Sequence, residues 1–140
     1  MISIDAVQEG IVAFLKAAPS LVGEVGDEIR ESQWQGTEFT YPAVRVRMGD
    51  KTTLIEGNCH TAHGVQPFTL LIFSEKSSSQ QANQIAALAM NLLLDQQLHS
   101  ADWISGNVRL RSPGLVAAIR TGDRLWRSEV HLEFNIYETA

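Results

Sequence analysis

Leu125-Trp126-Arg127-Ser128-Glu129-Val130-His131-Leu132-Glu133-Phe134-Asn135-Ile136-Tyr137 alternates apolar and polar side chains more clearly than any other stretch of this chain. Trp126, Val130, Leu132, Phe134 and Ile136 share one face, and Arg127, Glu129, His131, Glu133 and Asn135 share the other. That period of two predicts a strand with one face in a core and one facing water. Upstream, Pro113-Gly114 and Gly122-Asp123 are turn signals, so the C-terminal third reads as three antiparallel strands. Phe68 to Phe73 is apolar on both faces, as a central strand is.

Helices frame these strands. Ser77-Ser78-Ser79 offers a cap, with Ser78 and Gln81 at capping-box spacing, to a helix running to about Leu98. Ile85, Leu88, Ala89 and Leu92 form its core stripe, widened by Ala82, Ala86 and Leu93. An earlier helix, from Ser3 or Asp5 to Ala17, places Ile4, Val7, Ile11 and Phe14 on one face, with Asp5 and Gln8 as a capping-box variant and Pro19 as its stop. Leu21 to Glu38 is an irregular acidic connection. Tyr41-Pro42 opens a strand in which Val44, Val46 and Met48 face one way and Arg45 and Arg47 the other. Residues 49–67 form a long loop or irregular hairpin, with Thr52 to Glu56 as a short strand. The expected class is α+β: a mostly antiparallel mixed sheet of about five to six strands, with two main helices packed on one face, in one domain spanning 1–140.

The bulk properties agree with such a domain. The 140 residues are 44% hydrophobic and 19% charged, enough to bury roughly two-thirds of the unfolded surface. High aliphatic content and scarce proline exclude a disordered chain. No apolar run approaches the ~18 residues that a membrane span needs, and Asp5 and Glu9 interrupt any signal-peptide core. A single cysteine, Cys59, allows no internal disulfide and fits a reducing compartment.

Net charge is −5, the wrong sign for a general nucleic-acid binder. Its distribution is uneven: Glu24, Asp27, Glu28 and Glu31 are relieved only by Arg30, while every basic residue after position 99 is an arginine, namely Arg109, Arg111, Arg120, Arg124 and Arg127. Arginine is the preferred cation at protein interfaces, so the two sets are candidate subunit-interface patches. The competing explanation is ordinary solvated strand faces.

Catalytic and metal patterns are thin. Cys59, His60 and His63 lie within five residues, but a structural zinc site wants four ligands on a rigid frame. Cys59 beside His60 on an extended segment points away from it, a poor thiol–base pair. There is no Gly-x-Ser-x-Gly elbow. Gly49-Asp50-Lys51-Thr52 lacks the upstream glycine and following helix of a phosphate loop. No catalytic, cofactor or metal residue is therefore assigned. Trp34, Phe39, Tyr41 and Trp103 fall near loops, where a large aromatic is either an interface anchor or a lid over the domain's own core.

Four stretches together resemble the phage tail completion family, the head–tail joining proteins or tail terminators of long-tailed phages and gene transfer agents. They are the N-terminal helix leading into Ala18-Pro19-Ser20-Leu21-Val22-Gly23 with Ile29 beyond; Tyr41-Pro42-Ala43-Val44-Arg45-Val46; Phe68 to Phe73 with the Ala82 to Leu94 helix; and Arg124-Leu125-Trp126-Arg127 running to Tyr137. The resemblance implies a non-enzymatic virion assembly protein without a cofactor. It would form a homo-hexameric ring on the head-proximal end of the tail tube, end tube growth and mediate head–tail joining. Its partners would be other copies of itself, the tail tube protein and a head–tail connector or head-completion protein, with no membrane and no sequence-specific nucleic acid. Assembly would take place in the host cytoplasm. The loop residues Lys51, Glu56, Asn58, His60 and His63 are candidate contacts to tube or connector. Alternatives are another neck or tail component, such as a head-completion protein, and a small intracellular enzyme using Cys59 or the histidines.

Overall fold

The computed structural model describes residues 3–34, 40–49, 55–56, 62–100, 102–122 and 125–138. Its first helix, α1 (Ile4–Lys16), is capped by Ser3, whose hydroxyl accepts from the Ala6 N–H at 3.1 Å. Asp5 in the first turn and Lys16 in the last suit the helix dipole. Val7, Ile11 and Leu15 form the buried stripe. The expected Asp5–Gln8 box is not the cap. Gln8 is buried instead: its amide donates to the Val46 carbonyl at 2.7 Å and exchanges two bonds with Gln33.

The acidic connection is more ordered than its sequence suggests. Pro19 does not merely stop α1 but opens α2 (Pro19–Val25), at the helical position where a missing N–H costs nothing. Leu21 and Val25 go into the core. A three-residue strand, β1 (Ile29–Glu31), then pairs in parallel with β2 (Ala43–Met48), Ile29 opposite Val44. In β2 the expected in/out alternation fails at Arg45, which is only 4% exposed, for reasons given below.

The predicted central strand starts earlier than Phe68. β4 (Ala62–Ser74) runs between β2 and β8 (Leu125–Glu138), and β3 (Ile55–Glu56) pairs with its first residues. Of the two readings of 49–67, loop or irregular hairpin, the antiparallel β3–β4 pairing matches the hairpin, and residues 62–67 belong to the sheet. Between β4 and the C-terminal strands lies α3 (Gln80–Leu93), with Ala82, Ile85, Ala86, Ala89 and Leu93 buried. Its N-cap is Ser79, without a side-chain cap bond, so the expected Ser78–Gln81 box does not form. Beyond it come β5 (Gln97–His99), β6 (Trp103–Asn107) and β7 (Arg109–Gly122).

The sheet order is β1-β2-β4-β8-β6-β5, with β3 beside β4 and β7 beside β8. Every pair but β1–β2 is antiparallel. The class is α+β as expected. The strand segments beyond the expected five or six are the short ones, and α2 is the additional helix.

The Pro113-Gly114 turn is a correction. β7 runs straight through it: it advances five positions, from Leu110 to Leu115, while β8 moves two, from Leu132 to Val130. Pro113 has no N–H for the ladder and Gly114 takes φ 77°, so the chain bulges instead of reversing. The Gly122-Asp123 signal does sit at a reversal, since Gly122 pairs with Leu125. β6 and β7 therefore follow one another along the same edge of β8.

The helices cover one face of the sheet. Val44, Val46, Phe68, Leu70, Ile72, Val130, Leu132, Phe134 and Ile136 meet Ile11 and Leu15 of α1 and Ile85 and Ala89 of α3 in one core. Trp103 belongs to that core too. It is fully buried and stacks on Phe134 with centroids 6.1 Å apart and planes 9° apart. Of the two roles open to it, burial in the domain's own core is the one it takes.

Candidate interaction surfaces

Glu28 explains why Arg45 is buried. The carboxylate accepts from Arg45 Nη2 at 2.9 Å, and Nη1 donates to the carbonyls of Glu28 and Val44 at 3.2 and 3.1 Å. Both side chains are less than a tenth exposed. Trp34 closes the cluster, its ring 3.9 Å from the Arg30 guanidinium and 5.6 Å from that of Arg45. Glu28 is thus engaged within its own protomer. Of the acidic stretch, Glu24 and Asp27 stand in solvent and Glu31 is half-buried.

Glu31 borders a feature that no local pattern announces. An open groove of about 700 Å³ lies between α1 and β1, lined by Asp5, Glu9, Val12, Lys16, Glu31 and Gln33 among others. Helical spacing sets Asp5 and Glu9 one turn apart on the same face, and the Gln8–Gln33 exchange ties the helix to the turn that follows β1. None of the three carboxylates has an ion pair among the described residues.

On the opposite flank, β7 is exposed along nearly its whole length. Leu110, Leu115 and Ile119 are 43%, 42% and 52% exposed, which is unusual for large apolar side chains in a strand. Arg109, Arg111 and Arg120 accompany them. Arg109 donates to Glu133 and Asn135 at 3.1 Å each, whereas Arg111 and Arg120 have no ion pair among the described residues. Arg127 is half-buried on β8 and lies 3.4 Å from Glu129. Arg124 lies outside the described residues.

The outer face of the sheet carries a hydroxyl–imidazole–carboxylate series. Thr69 Oγ1 is 3.2 Å from His131 Nδ1, and His131 Nε2 is 3.0 Å from Glu129 Oε1. The order matches a nucleophile, base and orienting acid. Thr69, however, is largely buried, at 9% exposed. The series joins β4 to β8 across the sheet and has the features of a strap.

Of the loop candidates, Lys51, Asn58 and His60 lie outside the described residues, as do Cys59 and Phe39. Glu56 and His63 belong to the β3–β4 pairing. Among the described residues no cluster of three or more His, Cys, Asp or Glu could hold a metal ion, and no helix is long and apolar enough to cross a membrane.

No family model and no curated protein matches the chain by sequence. Solved structures do share its fold. A chain of the virion of a native gene transfer agent particle is 15% identical, with 94% of each chain covered and a TM-score of 0.69. A second solved protein is 19% identical over 100% of this chain and 98% of its own, with a TM-score of 0.55. At such identities the likeness is one of fold.

Proposed function

We propose that this chain is a non-enzymatic virion assembly protein of the tail-terminator kind. Copies of it form a ring, a hexamer by the family resemblance, on the head-proximal end of a phage or gene-transfer-agent tail tube. The ring ends tube growth and presents a surface to the head–tail connector or head-completion protein.

The observation that carries this reading is the superposition, over 94% of both chains, on a protein of a gene transfer agent virion. The sequence resemblance rests on α1, the β2 strand opened by Tyr41-Pro42, β4 with α3, and β8, which together make up most of the fold. The surface chemistry supports an assembly role as well. The conspicuous solvent-facing features are an apolar, arginine-bearing strand and an acidic groove, both suited to protein contacts. Lys51, Glu56, Asn58, His60 and His63 remain the candidates for contact with the tube or connector.

Light scattering behind size exclusion, over a wide concentration range and with imaging of the largest species, tests the proposal. The expected result is a six-copy mass and a ring with a central hole, and added tail tubes should be capped at one end. A chain that neither forms rings nor binds tail tubes overturns it.

A further inference from the structure

We propose that β7 is a docking arm, and that its partner is a second copy of this chain, which receives it in the groove between α1 and β1. The contact deepens the ring reading by naming the two surfaces that meet, and its closure into a ring rests on that reading.

The arm is the anomaly that calls for a partner. Of the five exposed large apolar side chains among the described residues, Leu110, Leu115 and Ile119 lie on β7. Among the described residues β7 pairs with no strand but β8, and its Ala118 N–H is held by Asn83 Oδ1 of α3 at 2.8 Å, so no second strand covers it. Open edges are normally guarded by charge, proline or bulges. β7 has Pro113 and three register shifts, which prevent a long regular ladder on the free side. Contact along the arm therefore runs mainly through side chains.

Charge selects the occupant. From Trp103 to Gly122 the chain carries Arg109, Arg111 and Arg120 and no carboxylate. The α1–β1 groove presents Asp5, Glu9 and Glu31 against Lys16, with Glu24 and Asp27 on the neighbouring segment. Arginine forks matched to carboxylates give register and specificity to such a contact. Half-buried Val12 supplies an apolar side chain to the groove wall between the α1 carboxylates and Lys16. Both apolar and charged features of the arm thus have counterparts at the groove.

Topology supplies the direction. The groove lies at the β1 edge, and the arm flanks β8 on the side away from β4. Two different surfaces of one subunit then meet, which makes a head-to-tail contact that closes into a ring or propagates as a filament.

The test uses charge reversal at exposed positions in the full chain, read by light scattering at low salt. One variant reverses the arm (Arg111→Glu with Arg120→Glu) and another the groove (Asp5→Lys with Glu9→Lys). Each alone should weaken self-association roughly a hundredfold, because like charges then face each other. An equimolar mixture should reassemble, since the reversed arm meets the reversed groove and the native arm meets the native groove. Circular dichroism and thermal unfolding should match the unaltered chain, and Ile119→Gln should weaken association without any charge reversal.

Either reversal variant assembling normally, or a mixture that fails to reassemble from folded components, overturns the contact. So does an unaltered chain that stays monomeric at its highest attainable concentration. Rings indifferent to both reversals overturn this contact and spare the ring reading. Open filaments or dimers that obey the mixing rule do the opposite.

Discussion

Replacing Gly10 with alanine should destabilise the protein, against the usual direction for a helical glycine. An added Cβ would stand 2.6 Å from Trp103 Cζ2 and 3.2 Å from Cη2. Carbon atoms in contact prefer about 3.5–4.0 Å, so ring or helix must yield by roughly 1 Å. Trp103 has nowhere to go: it is fully buried against Phe134, whose ring centroid is 5.6 Å from that of Phe68. Overpacking of this kind costs about 1–3 kcal/mol, while alanine in place of glycine gains about 1 kcal/mol of helix propensity.

Gly23 in α2 isolates the contact, because a Cβ there meets nothing within 4 Å. Subtracting one variant from the other removes the propensity gain to first order. Gly10→Ala should then be about 1–3 kcal/mol less stable than Gly23→Ala, a Tm gap of roughly 4–12 °C at this chain length. Urea and thermal unfolding followed by far-UV circular dichroism, at one fixed protein concentration, measure it. In a Trp103→Phe background the penalty of Gly10→Ala should vanish, a coupling that a double-mutant cycle reads directly. If Gly10→Ala proves as stable as Gly23→Ala, or keeps its cost beside Trp103→Phe, the packing argument is wrong.

Other consequences can be checked in the same assays. Glu28→Ala should cost about 3–5 kcal/mol because it removes the buried carboxylate that balances the Arg45 charge, and adding Arg45→Met should recover most of that loss in urea unfolding. Gln8→Leu removes the buried bond to the Val46 carbonyl, which keeps the Ser32 N–H at 2.9 Å, together with both bonds to Gln33, and should cost about 1–3 kcal/mol, with α1 exchanging its amide hydrogens faster. Raising salt from low to molar ionic strength should shift assembly towards monomer, since a solvent-facing arginine–carboxylate contact is screened over about 3 Å at 1 M. Insensitivity to salt would argue for an apolar contact instead.

The sequence was most readable where one face is wet and the other dry over many residues. Val130, Leu132, Phe134 and Ile136 are all fully buried, as their alternation required, and the α3 stripe holds at Ile85 and Ala89. Short elements escaped. Seven residues of α2 and three of β1 are too few for a period to register, and Gly23 reads as a loop signal. Arg45 was misplaced because alternation assumes that one face of a strand meets water, whereas Glu28 and Trp34 cover that face of β2. Pro113-Gly114 has turn chemistry, yet the long partner strand β8 holds β7 in line and the pair is absorbed as a bulge. The odd spacing from Leu110 to Leu115, which shifts a residue between faces in a regular strand, was the available sign. The groove was unreadable for another reason: Asp5 and Glu9 meet Glu31 only through tertiary contact.

The place of β8 in the sheet has a consequence during synthesis. Although last of the strands in sequence, it lies inside the sheet, between β4 on one side and β6 and β7 on the other. Thr69 and His131, hydrogen-bonded across its boundary with β4, are 62 residues apart. Until β8 has left the ribosome, the core lacks Val130, Leu132, Phe134 and Ile136, and β4 presents a bare edge. Nascent chains must therefore wait, and fragments that end before residue 125 should aggregate instead of folding. A subunit competent for assembly is then one whose translation has carried it past β8, so the fold itself screens truncated copies out of the particle.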